Sequence, residues 1–422
     1  MRRIWNIVSM KHLHLENIGP ISIVDIDLQR YNIFIGPQSS GKSTIAKMIS
    51  FCSWIEKRAL TTLSEDVFSN EQEFIEHVEE YHKMHDYFNS KSVLEYESQN
   101  IRIIYKDAKL TIKILDKITY KRKKILYIPS DRNLVAMPRL DRLVVETNTN
   151  LRSFIFDWFD ARGFYDKSHR LNILDLNMEY YYDKDAKKVS QDRIIHTNGK
   201  TYDIALSDAS SGLQSVTPLT LLLNYYSNQY FADYGKTTSY EKEQELKQLE
   251  KKINLLYPIG SSASTKSHSA FASIVEKGSH IINAIENRLI YDNLTIPSSC
   301  DFIIEEPEQN LFPEAQESLL YWVFERIKDP ERKNSIVITT HSPYVLFALN
   351  NCLIGGLVGE KMENNHLQSR GSWVSPSDVA VYEIHEGTLK RIQDEDGLLD
   401  NNYLNRAYKK ISAEYMTMLS QL

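Results

Sequence analysis

Nowhere in the 422 residues do about 20 apolar side chains run together, the length that a bilayer-crossing helix needs, so no membrane span is expected. The amino end, Met1-Arg-Arg-Ile-Trp-Asn6, carries basic residues but no apolar run of the kind a secretory leader has, and the cytoplasm is the expected compartment. Cysteine is scarce. Cys52, Cys300 and Cys352 stand too far apart for a zinc ribbon or a disulfide framework, and they read as reduced, buried thiols. A global excess of positive charge is missing too: 50 Lys and Arg against 56 Asp and Glu leave a net charge of -6, so any contact with nucleic acid has to come from local clusters. No internal repeat occurs. What remains is ordinary globular text, 42% hydrophobic and 25% charged, which excludes a mostly disordered chain. The length suits one core with large insertions or a second lobe.

Short apolar runs from Lys11 to Ile35, broken by the turn Asn17-Ile-Gly-Pro20, predict an antiparallel pair feeding a buried strand, Tyr31–Ile35. Helical spacing follows from Thr44 to Lys57, and the polar stretch Ser64–Asn100 reads as further helices. Strands are expected at Ile101–Tyr105, Leu110–Leu115 and Ile125–Ile128, with a second lobe starting near them. Leu151–Phe159 reads as helix, Asn177–Tyr182 and Arg193–His196 as strand, and a helix begins near Ser210 and runs through Tyr226. The charged segment Tyr240–Asn254 reads as a solvated helix and Ser261–Ser273 as a loop.

Four places carry chemistry. Gly36-Pro-Gln-Ser-Ser-Gly-Lys-Ser43 sits between an apolar strand and a helix, the setting of a phosphate-binding loop. Backbone N–H groups of Gly36, Pro37, Gln38, Ser39, Ser40 and Gly41 turn inward there as far as each residue has one, Lys42 reaches terminal phosphates, the hydroxyl of Ser43 can ligate Mg²⁺, and Thr44 completes the set. Asp301-Phe-Ile-Ile-Glu-Glu-Pro-Glu308 is an apolar strand ending in adjacent carboxylates. Glu305 suits the magnesium shell and Glu306 suits polarising a water; a solvated strand end is the plainer alternative. Ser335-Ile-Val-Ile-Thr-Thr-His341 is another apolar strand, ending in a histidine that is either structural or a reporter of the γ-phosphate. Ser207-Asp-Ala-Ser-Ser-Gly-Leu-Gln214 opens a helix with small residues, either a serine-rich cap or an anion site made by Ser210, Ser211 and Gly212.

In this order the motifs resemble the ABC ATPase superfamily: P-loop Gly36–Ser43, signature Ala209–Leu213, Walker B Ile303–Glu306 and switch His341. The wording Glu-Glu-Pro-Glu-Gln-Asn-Leu-Phe-Pro313, followed by Thr-Thr-His-Ser-Pro343, is similar to the branch shared by the DNA-repair and chromosome-maintenance ATPases and the overcoming-lysogenization-defect proteins. Closest in style are the stand-alone ATPase subunits of the phage-defence systems Septu and PARIS. The resemblance implies an α/β fold, a P-loop NTPase head of ABC type with a mixed sheet and a helical arm. It implies ATP and Mg²⁺ as ligands and a head-to-tail homodimer or higher oligomer, in which Ser210 and Gly212 of one subunit touch the γ-phosphate held by the other. Tyr127-Ile-Pro-Ser-Asp-Arg132 resembles a phrase that lies near the nucleotide in this branch, so Asp131 and Arg132 are either sensors or a strand-end salt bridge. Two positions depart from the pattern. Phe312 stands where the branch often has His, and Leu213 replaces the signature glutamine.

The expected layout is an ATPase head split between residues 1–60 and 299–422, with inserted helices and a second lobe at 61–205, the signature helix at 206–232 and a helical arm at 233–298. The expected function is a switch ATPase controlling a DNA-directed or nuclease partner in anti-phage defence. The alternatives are a repair or chromosome-maintenance ATPase acting on DNA, and a transporter's ATP-binding subunit, which normally has little between signature and acidic strand. The stretch after His341 is expected to be too short for a Toprim nuclease domain, so cleavage is assigned to a separate protein. Lys121-Arg-Lys-Lys124 reads as a solvated turn or a contact to phosphate backbone, and His77, His82 and His85 as surface histidines.

Overall fold

The structure, a computed structural model, describes residues 11–115, 119–137, 140, 149–185, 191–197, 202–234, 247, 249–253, 287–362 and 366–421. Most of the 233–298 arm, with Tyr240–Asn254 in large part and Ser261–Ser273 wholly, lies outside the described residues.

The chain opens with strands Lys11–Ile18 (β1), Ile21–Leu28 (β2) and Tyr31–Ile35 (β3), then helices Lys42–Thr62 (α1) and Glu71–His82 (α2). Val93–Glu97 (β4), Ile101–Lys106 (β5), Lys109–Ile114 (β6) and Lys123–Ile128 (β7) follow, and then helix Asn150–Arg162 (α3). Leu171–Asn172 (β8), Met178–Tyr182 (β9), Asp192–His196 (β10) and Asp203–Ala205 (β11) precede helix Ser211–Asn224 (α4). The last part holds Ser299–Glu305 (β12), Pro313–Ile327 (α5), Ser335–Thr340 (β13), Pro343–Val358 (α6), Val379–His385 (β14), Thr388–Arg391 (β15) and Tyr403–Leu419 (α7).

Among the described residues, eleven strands form one mixed sheet in the order β6-β5-β4-β1-β2-β15-β14-β3-β13-β12-β7, and β8 to β11 form a separate antiparallel sheet. From β14 to β7 the main sheet is parallel. Parallel strands covered on both faces read as continuous apolar runs, and β3 and β12 are buried at every position. Their side chains alternate between two cores. Ile33, Ile35, Phe302, Ile304, Ile336 and Ile338 pack against α3, α4, α5 and α6 through Trp158, Leu222, Phe324 and Leu349. Phe34, Ile303 and Val337 face α1 and α2 through Ile45, Met48, Phe74 and Val78. The loops that follow Ile35, Ile128, Glu305 and Thr340 therefore leave the sheet at one end, where an α/β sheet binds its ligands.

Four readings change. The stretch 61–205 is not all insertion and second lobe, because β4, β5, β6 and β7 all join the main sheet; the small sheet β8 to β11 stands apart. Val93–Glu97, read as helix, pairs with β1 and buries Leu94 and Tyr96, and the alternation Leu94-Glu95-Tyr96-Glu97 has the period of a strand. The basic turn is largely turned inward. Lys123 Nζ bonds Asp301 at 2.9 Å, Lys124 pairs with Asp157 and lies 5.0 Å from the Tyr226 ring, and Arg122 stacks on Tyr234. Only Lys121 is exposed, so the turn is neither fully solvated nor presented as a cluster to a phosphate backbone. Of the three histidines, His85 is exposed, but His77 stacks on Trp54 and His82 is buried against Phe51, Tyr81 and Tyr127. Burial pushes the His82 imidazole down to about 3, so it stays neutral.

Candidate nucleotide site

The turn from β3 into α1 needs glycine at Gly41, whose φ is 107° and where an added Cβ would lie 2.4 Å from Ile21 Cδ1. Gly41 caps α1 without a side-chain bond, and the first turn holds no acidic residue. The amino end of this helix, with its unpaired N–H groups and positive dipole end, is thus open to an anion. Ser40 Oγ is buried with no hydrogen-bond partner. A buried polar atom without a partner is costly, and a phosphate oxygen is the acceptor this one lacks.

Lys42 is 5% exposed and folds back on its own loop, donating to Gly36 O at 3.0 Å and Pro37 O at 2.8 Å. Burial lowers its ammonium to about 8, against the upward pull of Glu306 and Glu308. A bound polyphosphate favours the charged ammonium, so binding above pH 8 takes up a proton. ATP affinity should be flat below pH 8 where this group is concerned and fall by up to about tenfold per pH unit above it. Titrations of ATP between pH 6.5 and 9.5 test this; an affinity that holds or rises above pH 8 would contradict it.

Across from the loop, β12 ends in the carboxylates. Glu305 is 7% exposed and turned toward β7: its Oε1 accepts from Tyr127 Oη at 2.8 Å and its Oε2 from Ser130 N at 3.4 Å. Glu306 follows with φ of 44°, a left-handed conformation uncommon for a residue with a side chain, and its N–H donates to Thr339 O at 2.8 Å. Its Oε1 lies 3.5 Å from His341 Nε2, and both side chains are about one-third exposed. Contact with His341, then the charges of Lys42 and Arg132, hold the Glu306 carboxyl below its ordinary value against the effect of burial, so it is a carboxylate at neutral pH. Lys42, Glu306 and His341, brought from three separate stretches of chain, share one end of the sheet.

Glu308 was not singled out in the sequence, although it stands in the same acidic phrase. Its Oε1 accepts from the His341 backbone N–H at 2.7 Å and from Thr340 Oγ1 at 2.8 Å, which ties the histidine's backbone to the acidic loop. Burial raises its carboxyl, and its Oε2 is buried without a partner. Gln214 was also missed; its Nε2 donates to Ser207 O at 2.9 Å and Ala209 O at 3.0 Å and so braces the turn before α4.

Of the other predicted residues, Ser43 is half-buried and Thr44 buried in the first turn of α1, while Pro37, Gln38 and Ser39 are exposed. Ser210 caps α4, its hydroxyl accepting from Leu213 N at 3.4 Å; Ser210 and Ser211 are exposed, and among the described residues no hydrogen bond joins them to the P-loop. Gly212 instead meets the loop after β12, where an added Cβ would lie 2.9 Å from Asn310 O. Phe312 is 73% exposed at the start of α5. Asp131 is exposed and Arg132 is wholly buried, and among the described residues no carboxylate forms a salt bridge with Arg132. Its guanidinium donates to five backbone carbonyls.

The donor set fits Mg²⁺. This ion keeps several waters and takes one or two protein oxygens beside phosphate, and Ser43 and Glu305 offer one hydroxyl and one carboxylate. Among the described residues there is no group of three or more His, Cys, Asp or Glu placed to hold a metal by itself, and no helix is long and apolar enough to cross a membrane.

In the parallel half of the sheet, the histidine strand β13 thus lies between β3, which leads into Gly36–Ser43, and the acidic strand β12. A family model described as "AAA domain, putative AbiEii toxin, Type IV TA system" matches residues 302–346, the acidic strand through the start of α6. No curated protein matches the chain. Among solved structures, the chain is similar to an SMC head domain from Thermotoga maritima, at 11% identity and a TM-score of 0.36, over 92% of this chain and 99% of that one. It is also similar to the recombination mediator RecF, at 10% identity and 0.31 over 91% and 98%, and to a dimeric bacterial ABC transporter cassette, at 10% and 0.28 over 90% and 99%.

Proposed function

We propose that this protein is an ATP-hydrolysing switch of ABC type that closes as a homodimer around Mg-ATP and controls a separate DNA-directed or nuclease partner in antiviral defence. One observation carries the ATPase reading: Glu306 and His341 stand 3.5 Å apart at the end of the sheet where Lys42 and the open amino end of α1 await phosphates. Glu306 accepts a proton from the attacking water, whose oxygen bonds to the γ-phosphorus as the bond to the β–γ bridging oxygen breaks, leaving ADP and phosphate. His341, through Nε2, contacts the γ-phosphate and registers its loss. Ser43 and Glu305 would hold the Mg²⁺ shell, and the ion would supply charge neutralisation to the phosphates.

Closure in trans is supported by the exposed Ser210 and Ser211 at the amino end of α4, a second anion-binding helix end with no bond to the P-loop of its own chain. The defence role is supported by the phrase Glu305–Pro313 with Thr339–Pro343 and by the toxin–antitoxin wording of the matching family description. An inward-turned Lys123 and Lys124 favour a protein partner over direct DNA contact.

A mixing experiment tests the dimer. Lys42→Ala destroys one subunit's P-loop and Ser210→Arg destroys the other's signature, and each protein alone should be inactive. In an equimolar mixture, half of the dimers carry one intact composite site, and about a quarter of the wild-type ATPase rate should return. A mixture that remains inactive would sink head-to-tail closure.

A further inference from the structure

Arg132 is 0% exposed, yet among the described residues no carboxylate bonds its guanidinium. All five of its N–H donors are spent on backbone carbonyls from three segments. Nε donates to Ser215 O in α4 at 3.0 Å. Nη1 donates to Pro129 O at 3.3 Å and Glu305 O at 2.8 Å, and Nη2 to Glu306 O at 2.7 Å and Pro307 O at 3.2 Å. The planar fork thus grips both peptide units that flank Glu306, the residue held at positive φ, and the second turn of the helix that Ser210 caps. A second strut runs alongside, Asn310 Nδ2 to Ser215 Oγ at 2.9 Å, and Gly212 permits the close approach of α4 to Asn310. Two polar links and one tight backbone contact join α4 to the acidic loop.

We infer that Arg132 is a positioning residue that couples the Ser210 end of α4 to the conformation of Glu306, so that engaging the partner subunit's nucleotide aligns the carboxylate for hydrolysis. The inference rests on the proposed ATP-closed dimer. With all five donors bonded to backbone carbonyls, Arg132 acts through the backbone of Glu306. A rigid crossbar of this kind moves its two ends together, and any displacement of α4 is felt at the peptide units of Glu306. Turnover would then be licensed by dimer closure, while ATP binding to one subunit would not need the crossbar.

The test is a double-mutant cycle on kcat with ATP affinity measured beside it. Arg132→Lys keeps the charge but loses the fork, so kcat should fall by about 100-fold while the Kd for ATP stays within about threefold. Asn310→Gly removes the second strut at an exposed residue whose φ of 61° glycine adopts freely, and kcat should fall by about tenfold. When Ser210→Ala has already removed the trans contact, adding either change should lower kcat far less than it does alone. Losses that multiply, or ATP affinity that collapses together with kcat, would overturn the coupling. Should Arg132→Lys fail to fold, Asn310→Gly runs the same cycle. An inactive Lys42→Ala and Ser210→Arg mixture overturns the dimer and this inference with it, whereas an active mixture with multiplying losses overturns the coupling alone.

Discussion

Glu306→Gln should bind ATP with an affinity within about threefold of wild type and hydrolyse it about 10² to 10⁴ times more slowly, the range that a positioned general base contributes. The amide has the shape of the carboxylate and keeps a contact to His341, so the loop that carries it need not move. What it loses is the ability to take a proton from water. If the two subunits are locked together by the intact triphosphate, the same change should build up an ATP-bound dimer that outlasts purification, visible as a doubled mass by light scattering. Phosphate release under single turnover gives the rate. A variant with turnover within a few-fold of wild type would remove Glu306 from the role of base. A slow variant that stays monomeric with ATP would keep the base and remove the lock.

Lys42→Ala should weaken ATP binding by on the order of 100-fold or more, the cost of leaving a desolvated phosphate without its charge partner, about 3 kcal/mol or more. Among the described residues, the lysine is the cation bonded to the loop itself, at Gly36 O and Pro37 O. Its removal should leave the fold intact, because those carbonyls lie at a loop whose other end is open to water. Calorimetric titration with ATP provides the measurement, and retained micromolar binding in the variant would show that the backbone N–H groups suffice without the ammonium.

The nucleotide end of the fold was legible because each of its pieces sits where an apolar run stops: Ile35 before the loop, Ile304 before Glu305, Thr340 before His341. Strands buried on both faces announce themselves, and so does the residue that breaks them. The insertion was not legible for the opposite reason. β4, β5 and β6 are an antiparallel extension of the sheet, short and half polar, and their membership depends on pairing with β1, which no local pattern encodes. Lys123 and Lys124 looked like a solvated basic turn because their partners, Asp301 and Asp157, lie in other elements. Arg132 was read, from the resemblance of Tyr127–Arg132 to a phrase that lies near the nucleotide, as a sensor or a strand-end salt bridge. A guanidinium can also be satisfied by carbonyls alone, and only the fold brings five of them to one point. Glu308 was in plain view within the acidic phrase, and its bond to the His341 backbone follows from a loop geometry that the sequence does not spell out.

The place of β3 in the sheet has a consequence for the order in which the protein is made. β3 and the loop after it precede both of their strand neighbours in the chain by roughly 300 residues: Asn32 is paired with Val337 on one side and with Ala380 on the other. Until β13 and β14 are synthesised, β3 has two open edges and the loop behind it has no floor. The antiparallel block of β1, β2, β4, β5 and β6 needs only earlier residues and can form first. The Gly36–Ser43 loop therefore gains its floor only when β13 and β14 dock, and the same strands bring His341 and, through β12 beside β13, the acidic loop. On the proposed reading, the parts that would bind ATP and those that would hydrolyse it come together in one step.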